Sequence, residues 1–151
     1  MSTIAHATIV MERTYSASPA RVFAAWADVE ARKRWSAPAD NIRIEYEQAE
    51  FFEGGRDVSR CIEPSNEDYV ATVNYLDIKR DKRIVFAESV VHGEKRVSAA
   101  LITMELTPKG GDATHLALTM QIASFDAAGM EAGYQFGWSS ALDNLAKEFA
   151  Q

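Results

Sequence analysis

The chain has 151 residues, of which 47% are hydrophobic and 25% charged, so it can bury a sizeable core without disulfides or metals. Its formal net charge of −6 argues against nucleic acid as the main partner, because phosphate binding requires a positive surface. The single cysteine, Cys61, rules out an internal disulfide and fits a reducing cytoplasm. We expect neither a metal site nor a cofactor.

Targeting and membrane signals are not visible in the sequence. Residues 1–6 lack a basic segment followed by an apolar one, and no apolar run approaches the ~20 residues that span a bilayer. The basic cluster at 79–83 is interrupted by Asp81 and predicts a solvated hairpin turn. We therefore expect residues 1–151 to form a single cytoplasmic domain that binds neither nucleic acid nor membrane.

The first elements are predicted to be a strand and two short helices. Residues 9–15 are rich in β-formers and predict the strand. Ser18 suits an N-cap and Pro19 suits the first helical position, so the first helix should begin there. A second short helix is predicted from about Val29 to Trp35.

Residues 42–123 predict about six strands joined by turns. Ile44 and Tyr46 alternate with charged residues, a pattern typical of a half-buried strand. Because the strands carry one apolar and one polar face, the sheet should have one covered side. The predicted strands begin near Ile42 and then cover 56–62, 69–78, 84–91, 95–107 and about 116–122.

The remainder, from about Ala127 to Phe149, predicts one long helix with an apolar stripe. Gly133 and Gly137 each cost about 1 kcal/mol relative to alanine, so close approach to the sheet or to a ligand is expected there. The arrangement is α+β, with a curved antiparallel sheet of about seven strands around the C-terminal helix. The space between sheet and helix is where we expect a small ligand.

Five segments in order carry a family resemblance: 12–15, 17–26, 54–56, 77–85 and 137–146. Together they resemble the Hsp90-ATPase-activator-like branch of the START/Bet v 1 helix-grip superfamily. The resemblance implies the order β-α-α-β6-α and a cavity between sheet and final helix. It implies no fixed catalytic set, since that superfamily includes lipid carriers, hormone receptors and polyketide cyclases.

The strand after the glycine pair differs from this family pattern. By the resemblance, Asp57, Ser59 and Cys61 take positions that point inward, where relatives often carry aromatic residues. Small or polar residues there predict a larger or more polar pocket. A register change of one residue would instead place Val58 and Ile62 inside, and both alternatives remain open.

Two carboxylates, Glu88 and Asp57, are the candidate catalytic groups. Glu88 is in phase with Ile84 and Phe86, and desolvation in a cavity would raise its pKa and suit it to acid–base work. We favour the alternative, an outward glutamate paired with Arg96. Arg13 could be a counter-charge for Glu88 or an arginine at the sheet's edge.

Residues with apolar bodies and polar tips are candidates for holding a ligand, although each tyrosine is more simply explained as core. Trp26 and Trp35 are expected to pack the small helices. The predicted ligand-binding residues are Tyr69, Tyr75, Ser59, Cys61, Ile102, Met104, Met120, Tyr134 and Trp138.

Three functions fit these observations, and we favour the first. It is a binding protein for a small apolar or amphipathic molecule. The second is an enzyme of the cyclase or hydrolase type, which needs a carboxylate and a donor converging in the cavity. The third is a protein-interaction domain of the Hsp90 co-chaperone type, indicated by Phe51 and Phe52, which could equally form a homodimer contact.

Overall fold

The computed structural model describes residues 3–125 and 129–150, which form seven strands and three α-helices. No helix in these two ranges is long and apolar enough to cross a membrane. The elements are β1 (Ala5–Tyr15), α1 (Pro19–Ala27), α2 (Val29–Trp35), β2 (Arg43–Ala49), β3 (Arg56–Ile62), β4 (Tyr69–Lys79), β5 (Arg83–His92), β6 (Lys95–Pro108), β7 (Thr114–Ser124) and α3 (Met130–Leu145), which a 3-10 turn extends over Ala146–Phe149.

The strands form one antiparallel sheet in the order β1-β7-β6-β5-β4-β3-β2, so β1 and β2 are its edges. The pairing register shifts at Tyr46/Gln48, Tyr75/Asp77 and Val90/Val91. Such bulges bend a strand and increase its twist, which curves the sheet around the helical side. The predicted α+β helix-grip fold and its element order are confirmed.

Local capping explains where the two short helices begin. The Ser18 hydroxyl accepts a hydrogen bond from the Arg21 backbone N at 3.3 Å, and Pro19 takes the first helical position. Asp28 caps α2 by accepting from the Glu30 backbone N at 3.0 Å. The indole N–H of Trp35 donates to the Ala25 carbonyl at 3.0 Å and thereby joins the two helices.

α3 lies against β1 and β7 through its C-terminal half. Leu142 and Leu145 are fully buried, and the Tyr15 hydroxyl donates to the Leu142 carbonyl at 2.7 Å. The predicted start at Ala127 lies outside the described residues. The described helix begins after Gly129, whose φ of +69° is the left-handed conformation that glycine adopts without strain.

The hydrophobic core occupies only part of the inner face of the sheet. α1 covers β6, and α3 covers β1 and β7, so the fully buried side chains concentrate there. β2 to β5 are covered less completely, and this asymmetry creates the space described below. The fully buried core residues include Ile84, Ile102, Met104, Leu116, Leu118 and Met120.

We predict that Leu142→Ala lowers the free energy of unfolding by about 2–5 kcal/mol, because it removes a fully buried side chain and leaves a cavity. Urea denaturation followed by circular dichroism measures this change. Phe136→Ala on the same helix is the control, since Phe136 is 61% exposed and should change stability by no more than about 0.5 kcal/mol. Equal losses in the two variants would contradict the described orientation of α3.

Candidate functional site

A cleft of two connected chambers lies between β2 to β5 and the helices α2 and α3. The outer chamber, about 220 Å³, is lined by Gly133, Tyr134 and Gly137 of α3. The inner chamber, about 190 Å³, reaches Trp26, Arg32 and Trp35 of the first two helices. Seven residues line both chambers and show that they are continuous: Ser36, Ile44, Ser59, Cys61, Ala71, Glu88 and Trp138.

A second depression, about 430 Å³, lies on the opposite face of the sheet. It is lined by small outward side chains such as Ala87, Ser89 and Ala99, and it is the more open of the two features. We place the candidate site in the cleft, because a concave apolar lining with a few converging polar groups is typical of ligand sites.

The register of β3 points Asp57, Ser59 and Cys61 inward. Ser59 lies opposite Tyr46 and Ala71, and Cys61 opposite Ile44 and Tyr69. Ser59 and Cys61 line both chambers, so the inward alternative is the observed one. Burial raises the pKa of the Cys61 thiol, which therefore stays protonated and is a poor nucleophile.

Asp57 is a buried hydrogen-bond acceptor that links three parts of the chain. It is 3% exposed and accepts hydrogen bonds from Arg32 Nη1 at 2.7 Å, from the Tyr75 hydroxyl and from the Glu50 backbone N at 3.0 Å. A carboxylate that accepts from three donors, one of them a guanidinium, is held in place. These contacts give Asp57 a structural role, and its role as an acid or base stays a prediction.

Arg32, the partner of Asp57, was missed by sequence reasoning. It is 6% exposed, lines the inner chamber, and lies 5.0 Å from the Tyr46 ring centre. Its Nη1 also donates to the Tyr75 hydroxyl at 2.7 Å, so this predicted ligand-binding tyrosine already has both of its polar partners. In the sequence Arg32 opens the run Arg32-Lys33-Arg34, which reads as a solvated basic turn of helix.

Glu88 faces the cleft and lines both chambers. It lies opposite Val73 and Ala100, two residues of the buried face. Its side chain is half-buried because one side is open to the cavity. Burial raises its pKa to about 7, although a hydrogen bond with Tyr134 acts in the lowering direction.

The favoured expectation of an outward Glu88 paired with Arg96 is wrong. Arg96 is exposed and lies opposite Val91, whereas Glu88 lies three residues further along the strand, opposite Ala100. Arg13 is not its counter-charge either, since its guanidinium binds Asp143 and Ser139 of α3, each at 3.2 Å. Within residues 3–125 and 129–150, no ion pair joins Glu88 to a basic side chain.

Tyr134 connects Glu88 to the core. Its hydroxyl lies 3.0 Å from the Ser98 hydroxyl, and both residues are buried. Tyr134 also lies near enough to the Glu88 carboxyl to lower the pKa of that group by hydrogen bonding, from the helical side of the cleft. A carboxyl and a hydroxyl therefore converge on the cavity wall, and Tyr134 is placed where a ligand would meet it.

Three tryptophans form the aromatic end of the cleft. Trp138 stacks on Trp26 with ring centres 5.6 Å apart and an interplanar angle of 9°, and lies 6.4 Å from Trp35. Trp26 and Trp35 were expected only to pack the small helices, whereas they also line the inner chamber. The Trp26 Nε1 is buried and has no hydrogen-bond partner in the described part of the chain.

The two glycines of α3 border open space. A Cβ added at Gly133 or Gly137 would meet no atom within 4 Å, so the helix does not approach the sheet closely there. Both glycines line the outer chamber. Tyr69 lies across from them and stacks on His92 at 4.0 Å between ring centres.

Three predicted ligand-binding residues lie elsewhere. Ile102, Met104 and Met120 are fully buried and are not among the residues that line either chamber. The reason is their place on β6 and β7, the part of the sheet that α1 and α3 cover. They are core residues.

Phe51 and Phe52, the predicted interaction surface, lie in different environments. Phe51 packs edge-on against Phe23 at 5.7 Å and Tyr75 at 5.0 Å, measured between ring centres, so it belongs to the core. Phe52 is 58% exposed. The adjacent pair therefore does not form a continuous exposed patch.

The comparison with known proteins agrees with this architecture. The family model described as activator of Hsp90 ATPase homolog 1-like protein matches residues 16–150. A crystal structure from Rhizobium loti is 37% identical and superposes with a TM-score of 0.85, covering 96% of this chain and 98% of that one. An uncharacterized protein from Rhizobium leguminosarum is 30% identical with a TM-score of 0.88, covering 96% and 95%. No curated protein matches.

We predict that Asp57→Ala lowers the free energy of unfolding by about 3–5 kcal/mol, because it leaves the Arg32 charge buried without its partner. Asp77→Ala is the matched control: it breaks the exposed pair with Arg83 and should change stability little. Urea denaturation of both variants measures the difference. Similar midpoints for the two would show that the Arg32–Asp57 pair is not buried as described.

The raised pKa of Glu88 predicts a stability that falls with pH. The folded state favours the protonated carboxyl, so its contribution is complete below about 4.5, the ordinary value, and is lost as the pH approaches about 7. The slope for this one group is at most about 1.4 kcal/mol per pH unit. Urea titrations across that interval should give a smaller slope for Glu88→Gln than for the unchanged chain. Parallel curves would contradict the placement of Glu88 in the cavity.

Proposed function

We propose that this chain, which belongs to the activator of Hsp90 ATPase homolog 1-like family, binds a small amphipathic molecule between its sheet and α3. The observation that carries the proposal is the unfilled cleft, with chambers of about 220 and 190 Å³ and one carboxyl group, that of Glu88, which no basic residue of the described chain neutralises. An apolar cavity with a few polar groups suits a ligand that has an apolar body and a polar end.

The lining indicates how such a ligand would lie. Its apolar body would contact Trp138 and the aliphatic side chains of Ile44, Ala71 and Val90. Its polar end would reach Glu88, which borders both chambers. Burial of apolar surface would supply most of the affinity, and the polar contact would fix the orientation.

The outer chamber provides the entrance. Met130, Gly133 and Gly137 of α3 form one side, and Ser36 and Pro38 of the segment after α2 form the other. The absence of side chains at the two glycines widens this opening. A ligand would therefore enter between α3 and the 36–38 segment and move towards the tryptophans.

Acid–base catalysis is a second candidate function, supported by the convergence of Glu88 and Tyr134. A carboxyl whose pKa is raised to about 7 is suited to accept and return a proton near neutral pH. Mass spectrometry of a ligand recovered after incubation distinguishes the two functions. An unchanged mass supports binding alone, and a changed mass that requires Glu88 supports catalysis.

Native mass spectrometry of the purified chain, together with a thermal-shift screen of small amphipathic compounds, tests the binding proposal directly. A compound that binds only the folded state raises the melting temperature with its concentration. Prodan, an uncharged dye that brightens in apolar surroundings, reports on the cleft without any charge preference. Absence of dye binding and of any stabilising compound would refute the proposal.

We predict that Gly137→Leu weakens prodan binding about tenfold or more, because the new side chain occupies the outer chamber. The same substitution should raise the free energy of unfolding by about 0.5–1 kcal/mol, since leucine is the better helix former. Ala132→Leu is the matched control, as Ala132 is exposed on the same helix. Unchanged dye affinity in Gly137→Leu would place the binding site elsewhere.

A further inference from the structure

We propose that the ligand is an amine, and that Glu88 is the residue that selects it by pairing with the ammonium group. This inference rests on the proposed binding function and names the chemical class of the ligand. The preferred molecule has an apolar, preferably aromatic, body and a single positive charge at one end.

The charge balance of the cleft is the first argument. Three charged residues line the two chambers: Arg32, Asp57 and Glu88. Arg32 and Asp57 neutralise each other, with Nη1 and Oδ2 2.7 Å apart and both residues more than nine-tenths buried. Ionised Glu88 therefore leaves the cleft with one uncompensated negative charge.

The other groups that face Glu88 do not supply the missing positive charge. β4 and β6 place Val73 and Ala100 directly beside it, and α3 contributes the Tyr134 hydroxyl. The other charged residues of the lining, Arg32 on α2 and Asp57 on β3, form an ion pair with each other. The other polar side chains of the lining include no basic group; among them are a thiol and three phenols, those of Cys61, Tyr46, Tyr69 and Tyr75.

The hydrogen-bonding capacity of Glu88 is the second argument. An ionised carboxylate has about four acceptor sites, and Tyr134 is the one side-chain donor that influences Glu88 among the described residues. A buried carboxylate is costly unless it is paired and hydrogen-bonded. An ammonium group provides both the opposite charge and up to three donors, whereas an alcohol provides one donor and no charge.

The aromatic lining is the third argument. Trp138 borders both chambers, and Tyr69 and Tyr134 border the outer one. One face of Trp138 stacks on Trp26 and one face of Tyr69 stacks on His92, which leaves a single face of each ring for a ligand. A cation over such a face would be attracted to the ring, in addition to the carboxylate. A carboxylate ligand would meet Glu88 as a like charge and would find Arg32 already neutralised by Asp57.

The pH dependence follows from the same group. An ammonium ion binds the ionised form of Glu88, whose pKa is raised to about 7 in the unliganded chain. Amine affinity should therefore increase between about pH 5.5 and about pH 8.5, a range in which the amine itself stays protonated. Binding at low pH should release a proton from Glu88 to the buffer.

Three probes with the same phenyl group test the inference: phenethylamine, phenethyl alcohol and hydrocinnamate, which carry a positive, a neutral and a negative end. Quenching of tryptophan fluorescence and isothermal calorimetry give their affinities. We expect phenethylamine to bind about tenfold more tightly than the alcohol, since desolvation of the ammonium group offsets much of the attraction. Hydrocinnamate should bind least well.

Two variants show whether Glu88 causes the preference. Glu88→Gln keeps the shape of the side chain and should reduce phenethylamine binding to the level that the alcohol shows in the same variant. Glu131→Gln removes the same charge from an exposed position on α3 and should retain the amine preference. Circular dichroism and the affinity for prodan confirm that both variants are folded.

The outcomes separate this inference from the binding proposal. Equal binding of amine and alcohol, tighter binding of hydrocinnamate, or an amine preference that survives in Glu88→Gln would overturn the inference and leave the cleft as a binding site. Failure of all three probes up to about 10 mM, together with failure of prodan, would overturn both. Prodan binding without any response to phenethylamine would overturn the inference alone.

Discussion

The buried ion pair between Arg32 and Asp57 is the contact on which the site depends. It joins α2 to β3, and the Tyr75 hydroxyl extends it to β4, so one polar cluster connects a helix to two neighbouring strands. A buried pair of this kind adds little net stability, but it holds its elements in one arrangement, since breaking it leaves an uncompensated charge. The inner chamber lies directly over this cluster.

Arg32 and Asp57 neutralise each other. Among the described residues that line the cleft, Glu88 is therefore the charged residue without an ion-pair partner. Its place on β5 lets it border both chambers, and under the proposed function it is where the polar group of a ligand would be held. The family match and the similar rhizobial structures establish the fold over most of the chain. The function is argued from the site, since one fold supports many functions.

The two halves of α3 differ in how firmly they are packed. Two glycines weaken it by about 1 kcal/mol each, and neither glycine is compensated by close packing against the sheet. Its C-terminal half is fastened by buried leucines and by the Tyr15 hydrogen bond, while its N-terminal half borders the cavity. Stability is therefore concentrated away from the outer chamber, as expected if that chamber is the entrance proposed above.

The sequence by itself determined the order of elements, the bounds of α2 and β3 and the Ser18 cap, because caps and periodicity act between residues close in the chain. Only the tertiary structure decided that Asp57 pairs with Arg32, and that Glu88, in phase with Ile84 and Phe86, borders open space and not Arg96. It also decided that Ile102 and Met120 lie in the core. Those outcomes depend on which strands pair, in which register, and under which helix, and no local pattern encodes them.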